Sequence, residues 1–526
     1  RKEVYHPLSE DQAAQRREAE AREAARAEER ERFRAWFNGT GGSDDPGPWL
    51  SRLQDFVLKG EKSAHAQWVR RMADEEVAPR GVFERLVAEG VWDADEHLDL
   101  IRKDVPIDFP AAVLQTADDL SVEALLGEAH RRDLTSVPVV TIDDAHTTDR
   151  DDGLSIQWDP DGSCRVGVHI TDVASLVPGG SELDREAMNR VSSLYFPDRR
   201  IAMFPPAISE GIGSLHPDVP CLALSVGLVV TEDGSVGDVE IFPSVIRCAE
   251  KLTYEEADAV LEDSGHPFHL TLAGLRHVAQ THCGKRLRDG AISLERTERV
   301  VRVSPGGEIT VDTRVRTSPA NFLVSEFMIM ANVAMARFCR DRGIPTVYRT
   351  QVAPDLTDLQ ETDNEILNRY RILRRMRPAS MSEDPDPHRG LGVDLYCQAS
   401  SPLRRYPDLA IQRQILAALL DAPQPYDAEG IQEVLFQADE RIRDIGRLEA
   451  RRERYWLYRY LERRIGETFE AVVLDSWGRG NLVEIVAYGL RTDVKPAGPV
   501  EEGDAIEVKL TRTDPWGDSI QFSHVP

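Results

Sequence analysis

At 526 residues the chain is too long for one ordinary hydrophobic core, so two to four domains are expected. Its 41% hydrophobic and 29% charged residues are those of a soluble globular protein, with no uncharged apolar run of about 18 residues that would suggest a membrane span. The net charge of −27 argues against a simple nucleic-acid binder. It leaves an acidic enzyme acting on a small or cationic substrate, or a nucleic-acid enzyme with its basic residues gathered along one channel.

The opening RKEVYHPLSEDQAAQRREAE has neither an apolar stretch nor a small-residue cleavage site, so it does not read as a secretory signal. The six cysteines, Cys164, Cys221, Cys248, Cys283, Cys339 and Cys397, form no CxxC pair. That argues against a zinc ribbon or a disulfide framework and for the reducing cytoplasm. Residues 9–37, rich in Ala, Glu and Arg, predict a helix with a solvated face. GTGGSDDPGP at 39–48 reads as a loop, and helical patterns resume at 49–58, 62–76 and 80–89. These define a helical N-terminal domain over 1–125, of helix-turn-helix-like size but with no strongly basic helix for reading DNA.

From about 131 the texture turns to β-type runs: VPVVTI, GLSIQW, CRVGVHI, LALSVGLVV and VEIFPSVIR. Helical stretches follow at 253–262, 270–289, 319–342, 355–375, 402–421 and 428–464. Sheet first and helices after predict a large α+β domain over 126–464. Five short strands with Gly-rich turns then predict a small barrel of the OB type over 465–526.

Chemistry concentrates in TIDDAHTTDRDDG at 141–153, where Asp143, Asp144, Asp149, Asp151 and Asp152 follow an apolar strand. Carboxylates this close repel unless cations neutralise them, and hard oxygen ligands favour magnesium or manganese over zinc. An EF-hand loop counted from Asp143 would need Gly and Glu where Thr148 and Leu154 stand. The plain alternative is an acidic surface turn. A second segment, YCQASSPLRRYPDLAIQRQ at 396–414, sets Arg404 and Arg405 in the first turn of an expected helix. Arginine is disfavoured there by the helix dipole but is well shaped for phosphate. Pairing with Asp408 and surface acids is the competing explanation.

These two segments resemble signatures of the ribonuclease II family, and the match continues between them. RRDLTSVPVVTIDDAHTTDRDDGLSI resembles the entry to that family's catalytic (RNB) domain, and VGVHITDVASLV, LYFPDRRIAMFPPAISEGIGSLHPDVPCLALSV, SEFMIMANVAMA and SPLRRYPD follow in the family's order. The resemblance implies a processive 3′-to-5′ exoribonuclease that releases 5′-mononucleotides from single-stranded RNA. By position, Asp143, Asp149 and Asp152 would hold Mg2+, with Mn2+ as the substitute, and Asp151 would position the attacking water or a second metal. Tyr195 would stack on a base near the 3′ end, Arg404 would contact the scissile phosphate, and Arg405 would help hold RNA.

Three departures from the family pattern stand out. Ser325 replaces the first of two Glu residues associated with the terminal ribose, leaving Glu326, and Leu294 stands in the place of a base-clamping aromatic. The helical N-terminal domain replaces the usual cold-shock domains. No membrane, no small-molecule cofactor and a monomer are expected. The alternative is an RNA-binding protein of the same fold with weak or lost catalysis; a DNA-directed regulator would need base-reading residues that are not found. Residues 441–464, with nine Arg against four acids and interleaved aromatics, read either as an RNA track or as an amphipathic helix with its aromatics in the core. RYRILRRMRP at 369–378 is also basic.

Overall fold

The structure is a computed structural model that describes residues 9–40, 46–73, 77–158, 164–292, 297–315, 318–477 and 480–526. It divides into two compact units, one ending at Val105 and the other beginning at Pro106.

The first unit is helical: Glu10–Phe37, Gly47–Lys59, Ala66–Ala73, Pro79–Ala88 and Leu98–Arg102. Ser9 and Gln12 close a capping box over the first helix, whose opening turn carries Glu10 and Asp11. Only its last turns are buried, through Phe33 and Trp36. Both rings meet Trp49, at 5.2 and 5.6 Å between centroids, and this cluster anchors the unit.

The second unit is built around a closed five-stranded barrel: β1 Arg132–Asp143, β2 Asp152–Trp158, β3 Cys164–Thr171, β4 Pro220–Val230 and β5 Val236–Thr253. Neighbours are antiparallel in this order, and the parallel pairing of β5 with β1 closes the barrel. Alternation along the strands sends Val140, Leu154, Val168 and Val226 into the core shared with the surrounding helices. A polar chain runs across other positions. Ser155 Oγ lies 2.9 Å from His169 Nε2, His169 Nδ1 lies 2.7 Å from Ser225 Oγ, and Ser225 meets Ser244 at 2.6 Å. Burial pushes His169 down to about 4, so a neutral imidazole with both nitrogens bonded completes this interior.

The helix Pro319–Asp341 is long and apolar enough, by length and composition, to cross a membrane. Here it is a core element, with Leu323, Phe327, Met330 and Ala334 in the same cluster as the barrel strands. Helices Ala111–Asp118 and Glu123–Leu126 belong to this second unit, and Val113 and Ala117 join its core. The hairpin of Thr297–Val303 and Ile309–Val315 has no counterpart in the sequence reading; its Val301 packs with Trp456.

The C-terminal sheet has the order 490–494, 480–485, 468–477, 505–514, 519–525, antiparallel throughout. The long helix Ala428–Leu461 runs into it, burying Trp456, Leu457, Tyr458 and Leu461 against Ala471, Val483, Val508 and Leu510. Trp456 and Tyr458 are therefore core residues. Arg452 and Arg454 are each spent on a bidentate pair, with Asp198 and Asp518 respectively. Three arginines of the basic run 369–378 are engaged by the C-terminal region. The run's helix is Glu365–Arg375, capped by Asn364, and Arg369, Arg371 and Arg374 pair with Glu484, Glu502 and Asp475.

Candidate active site

The acidic motif connects β1 to β2 at one end of the barrel. Asp143 is the last residue of β1, paired with Thr253, and Asp152 opens β2, paired with Ile170. Between them Arg150 pins the loop: its amide donates to Ser214 Oγ at 3.0 Å, its Nε donates to the Leu215 carbonyl at 2.8 Å, and its guanidinium meets His216. Gly153 follows because a Cβ there would lie 2.7 Å from Val139 Cγ1.

The carboxylates lie close enough for their charges to act on one another. Burial, reinforced by the neighbouring Asp152 charge, pushes Asp143 up to about 8, and its Oδ2 is buried without a hydrogen-bond partner. Burial raises Asp152 to about 6 against the opposing pull of Arg404 and Arg405. Burial also lifts Asp151 well above the ordinary carboxylate range, although Arg404 and the Leu403 amide favour its charged form. Such groups are undercompensated by protein cations, and their donor set is entirely carboxylate oxygen, which suits a hard divalent ion.

As the side chains stand, no three His, Cys, Asp or Glu groups among the described residues converge closely enough to hold an ion. Asp149 supplies part of the reason. Its Oδ2 accepts from the Tyr195 hydroxyl at 2.8 Å, and its Oδ1 lies 2.6 Å from Arg200 Nη1. Arg200 also pairs with Glu210. Asp149 is thus turned toward protein cation and hydroxyl, whereas Asp143 keeps an unpartnered oxygen.

The 401–406 segment arrives from far along the chain. The Leu403 amide donates to Asp151 Oδ1 at 2.9 Å, and Arg404 Nε lies 3.5 Å from Asp151 Oδ2 with its side chain 42% exposed. The helix begins only at Tyr406, with Arg405 at its N-cap and Arg404 just before it, so both arginines stay at the end where the dipole disfavours cations. Backbone bonds from Ser193 to Arg404 and from Tyr406 to Val191 join this segment to the Tyr195 loop. Val191 has φ 65°, a strained value for a β-branched residue, and the Tyr406 bond helps to hold it there.

The remaining expected site residues sit differently. Arg405 makes a bidentate pair with Asp408, at 2.9 and 2.6 Å, and Asp408 also accepts from the Ser401 amide. Glu326 is buried between helices, bonded by His282 and by Arg286, which also donates to the Leu391 carbonyl. Ser325, next to it, is exposed. Leu294 lies outside the described residues.

Three residues at the site escaped the sequence reading. Arg200 faces Tyr195 directly across a two-stranded ladder, Leu194–Tyr195 with Arg200–Ile201, so the FPDR turn between them was the available signal. Glu449 accepts from the Tyr195 amide at 2.8 Å, a contact across 254 residues that no local pattern announces. Tyr254 begins the helix that follows β5; burial raises its hydroxyl, as do the charges of Asp152 and Asp143.

Residues 131–421 match the RNB domain, and residues 467–525 match the RNase II-type exonuclease C-terminal S1 domain. An uncharacterized ribonuclease of Synechocystis is 35% identical over 451 residues, covering 83% of this chain and 66% of the relative. Ribonuclease R of Aquifex aeolicus is 30% identical, covering 73% and 61%. Among solved structures, Mycoplasma genitalium RNase R in complex with ribose-methylated single-stranded RNA superposes with a TM-score of 0.74 at 20% identity, covering 81% of this chain and 77% of that one. The Candida glabrata Dss1 exoribonuclease gives 0.80 at 21% identity, covering 95% and 70%. The chain spans between half and two-thirds of the length of the curated relatives it matches. With an RNB match over more than half its length and the acidic loop, the arginine segment and the C-terminal sheet in that order, the chain belongs to the RNB-domain family.

Proposed function

We propose that the protein is a 3′-to-5′ exoribonuclease that hydrolyses single-stranded RNA processively to 5′-mononucleotides. The observation that carries this reading is the meeting of the acidic loop with Arg404 at the barrel end, 3.5 Å from Asp151. Relatives named ribonuclease R and ribonuclease II support it.

Asp143, Asp149 and Asp152 would hold Mg2+, with Mn2+ as an effective substitute. When bound, the ion would polarise the phosphoryl oxygens and make the attacking water more acidic. The chain's own residues do the rest. Asp151, fixed by the Leu403 amide, accepts a hydrogen bond from the water and orients it toward phosphorus. Arg404, half-buried beside Asp151, offers its guanidinium to the charge that develops on the non-bridging oxygens. Tyr195, 42% exposed, gives a sequence-neutral stacking face near the 3′ end. Glu326 and Arg405, proposed RNA contacts by resemblance, would have to leave their present partners to reach RNA.

We further infer three functional domains, a monomer, and residence in the cytoplasm, to which six cysteines outside any disulfide are suited. A binding protein without catalysis is disfavoured because all four motif aspartates are present, although a structural neighbour, yeast Ssd1, is described as a pseudonuclease. The test is a time course on 5′-labelled single-stranded RNA with Mg2+ and with EDTA. A ladder shrinking to a short 5′ fragment, abolished by EDTA, is expected; RNA left intact but shifted on a gel would overturn the enzymatic reading.

A further inference from the structure

Asp149 is expected to bind a cation, yet both of its oxygens are already engaged. Tyr195 Oη holds one and Arg200 Nη1 the other, at 2.8 and 2.6 Å. The Asp149 side chain is 5% exposed and that of Arg200 21%, so this contact is sheltered and costly to leave without a replacement. Arg200 has a second carboxylate within reach, Glu210, whose side chain is 39% exposed. Asp143 feels the charges of Arg150 and Lys251, but its buried Oδ2 is orphaned. The four acidic positions are therefore unequal, one neutralised by the protein itself and one left open.

We propose that Arg200 is a resident counter-cation for Asp149, so that divalent-ion binding is an exchange in which Arg200 yields Asp149 and retains Glu210. The inference rests on the metal-dependent reading of the site. Three consequences follow from the geometry. Arg200 holds the loop together while no ion is bound, offsetting the mutual repulsion of the carboxylates. It competes with the ion, so apparent metal affinity is set partly by an amino acid that never touches metal. Glu210 serves as the landing site that keeps the displaced guanidinium from being stranded. Arg200 is thus a positioning residue, acting through Asp149. Because Arg200 and Tyr195 face each other across one ladder and share one carboxylate, ion occupancy is also linked to the placement of the stacking ring.

The test measures Mn2+ binding to the full chain without RNA, by calorimetry and by the electron paramagnetic resonance of free Mn2+. Removing the competitor in Arg200→Ala should tighten Mn2+ binding about tenfold. It should also lower the melting temperature in EDTA and enlarge the stabilisation produced by Mn2+. Glu210→Gln should act with the opposite sign, weakening Mn2+ binding several-fold, because Arg200 then has only Asp149. A merely structural Arg200 would give unchanged or weaker binding on substitution, and that result overturns the inference. Should Arg200→Ala fold poorly, Glu210→Gln decides alone: unchanged or tighter Mn2+ binding overturns it. A wild-type chain that binds no Mn2+ would overturn the metal-dependent reading itself.

Discussion

The amide of Leu403 donates to Oδ1 of Asp151 at 2.9 Å, joining positions 252 residues apart. This bond fixes one carboxylate oxygen and leaves the other facing Arg404, which makes Asp151 the oriented member of the acidic group. Asp151→Asn keeps an acceptor for the Leu403 amide but loses the charge. Hydrolysis should fall about a thousandfold while RNA binding and the melting temperature stay near wild type. Single-turnover rates on labelled RNA decide; retention of more than a tenth of the activity would remove Asp151 from the chemistry.

Glu449 should govern the grip on RNA through the Tyr195 loop. Glu449→Ala leaves the Tyr195 amide without its acceptor and should weaken single-stranded RNA binding about fivefold to thirtyfold, whereas Glu449→Gln retains an oxygen and should bind nearly normally. Fluorescence anisotropy with a catalytically silent Asp151→Asn background measures this. Equal losses in both variants would show that charge, not loop support, is what Glu449 contributes.

Arg405 is expected to act on stability more than on RNA. Its partner Asp408 has a side chain only 1% exposed, so Arg405→Ala leaves a buried carboxylate short of its cation and should cost about 3 kcal/mol in urea unfolding. Unchanged stability with weakened RNA affinity would return Arg405 to the RNA interface.

Glu326 gives a pH signature. Burial alone would raise its carboxyl, but the hydrogen bonds from His282 and Arg286 outweigh burial and hold it below its ordinary value of 4.5. Folding therefore favours the deprotonated form. The resulting stabilisation is complete above the ordinary value and is lost as pH falls through the lower folded-state value. The stability gap between wild type and Glu326→Gln should be wide at neutral pH and close on acidification below about 4.5. A pH-independent gap in thermal melts would contradict this assignment.

Salt should weaken RNA binding despite the net charge of −27. Most arginines of 441–464 are already paired, Arg443 with Asp439, Arg447 with Asp444, Arg452 with Asp198, Arg454 with Asp518, Arg459 with Glu462 and Arg464 with Glu467, so part of this charge is already spent. The logarithm of affinity should fall with the logarithm of salt at a slope of about −2 to −3, the value for three or four neutralised phosphates on a single strand. A flat response would argue against any basic RNA path.

Much of the architecture was readable from local pattern. The β-type runs from 137 to 247 became the barrel strands because β-branched alternation is a local property of the chain. The hairpin at 297–315, whose two strands are each as long as β2, is packed on the long helix Ala428–Leu461, a contact that no local pattern announces. Helix starts shifted where a cap or a proline decided them, as at Asn364 and Tyr406-Pro407.

The sequence by itself determined which chemical groups are present and near one another along the chain: five aspartates in ten residues, two adjacent arginines, and the fold class that carries them. Only the tertiary structure decided their partners. It spent Arg405 on Asp408 and Glu326 on Arg286, set Arg404 between Asp151 and the Ser401 hydroxyl, and closed Arg200 onto Asp149. The physical reason is range. Propensity and spacing act over a few residues, whereas an ion pair forms with whatever charge the fold brings within a few ångströms, and burial then sets how strongly the two are held.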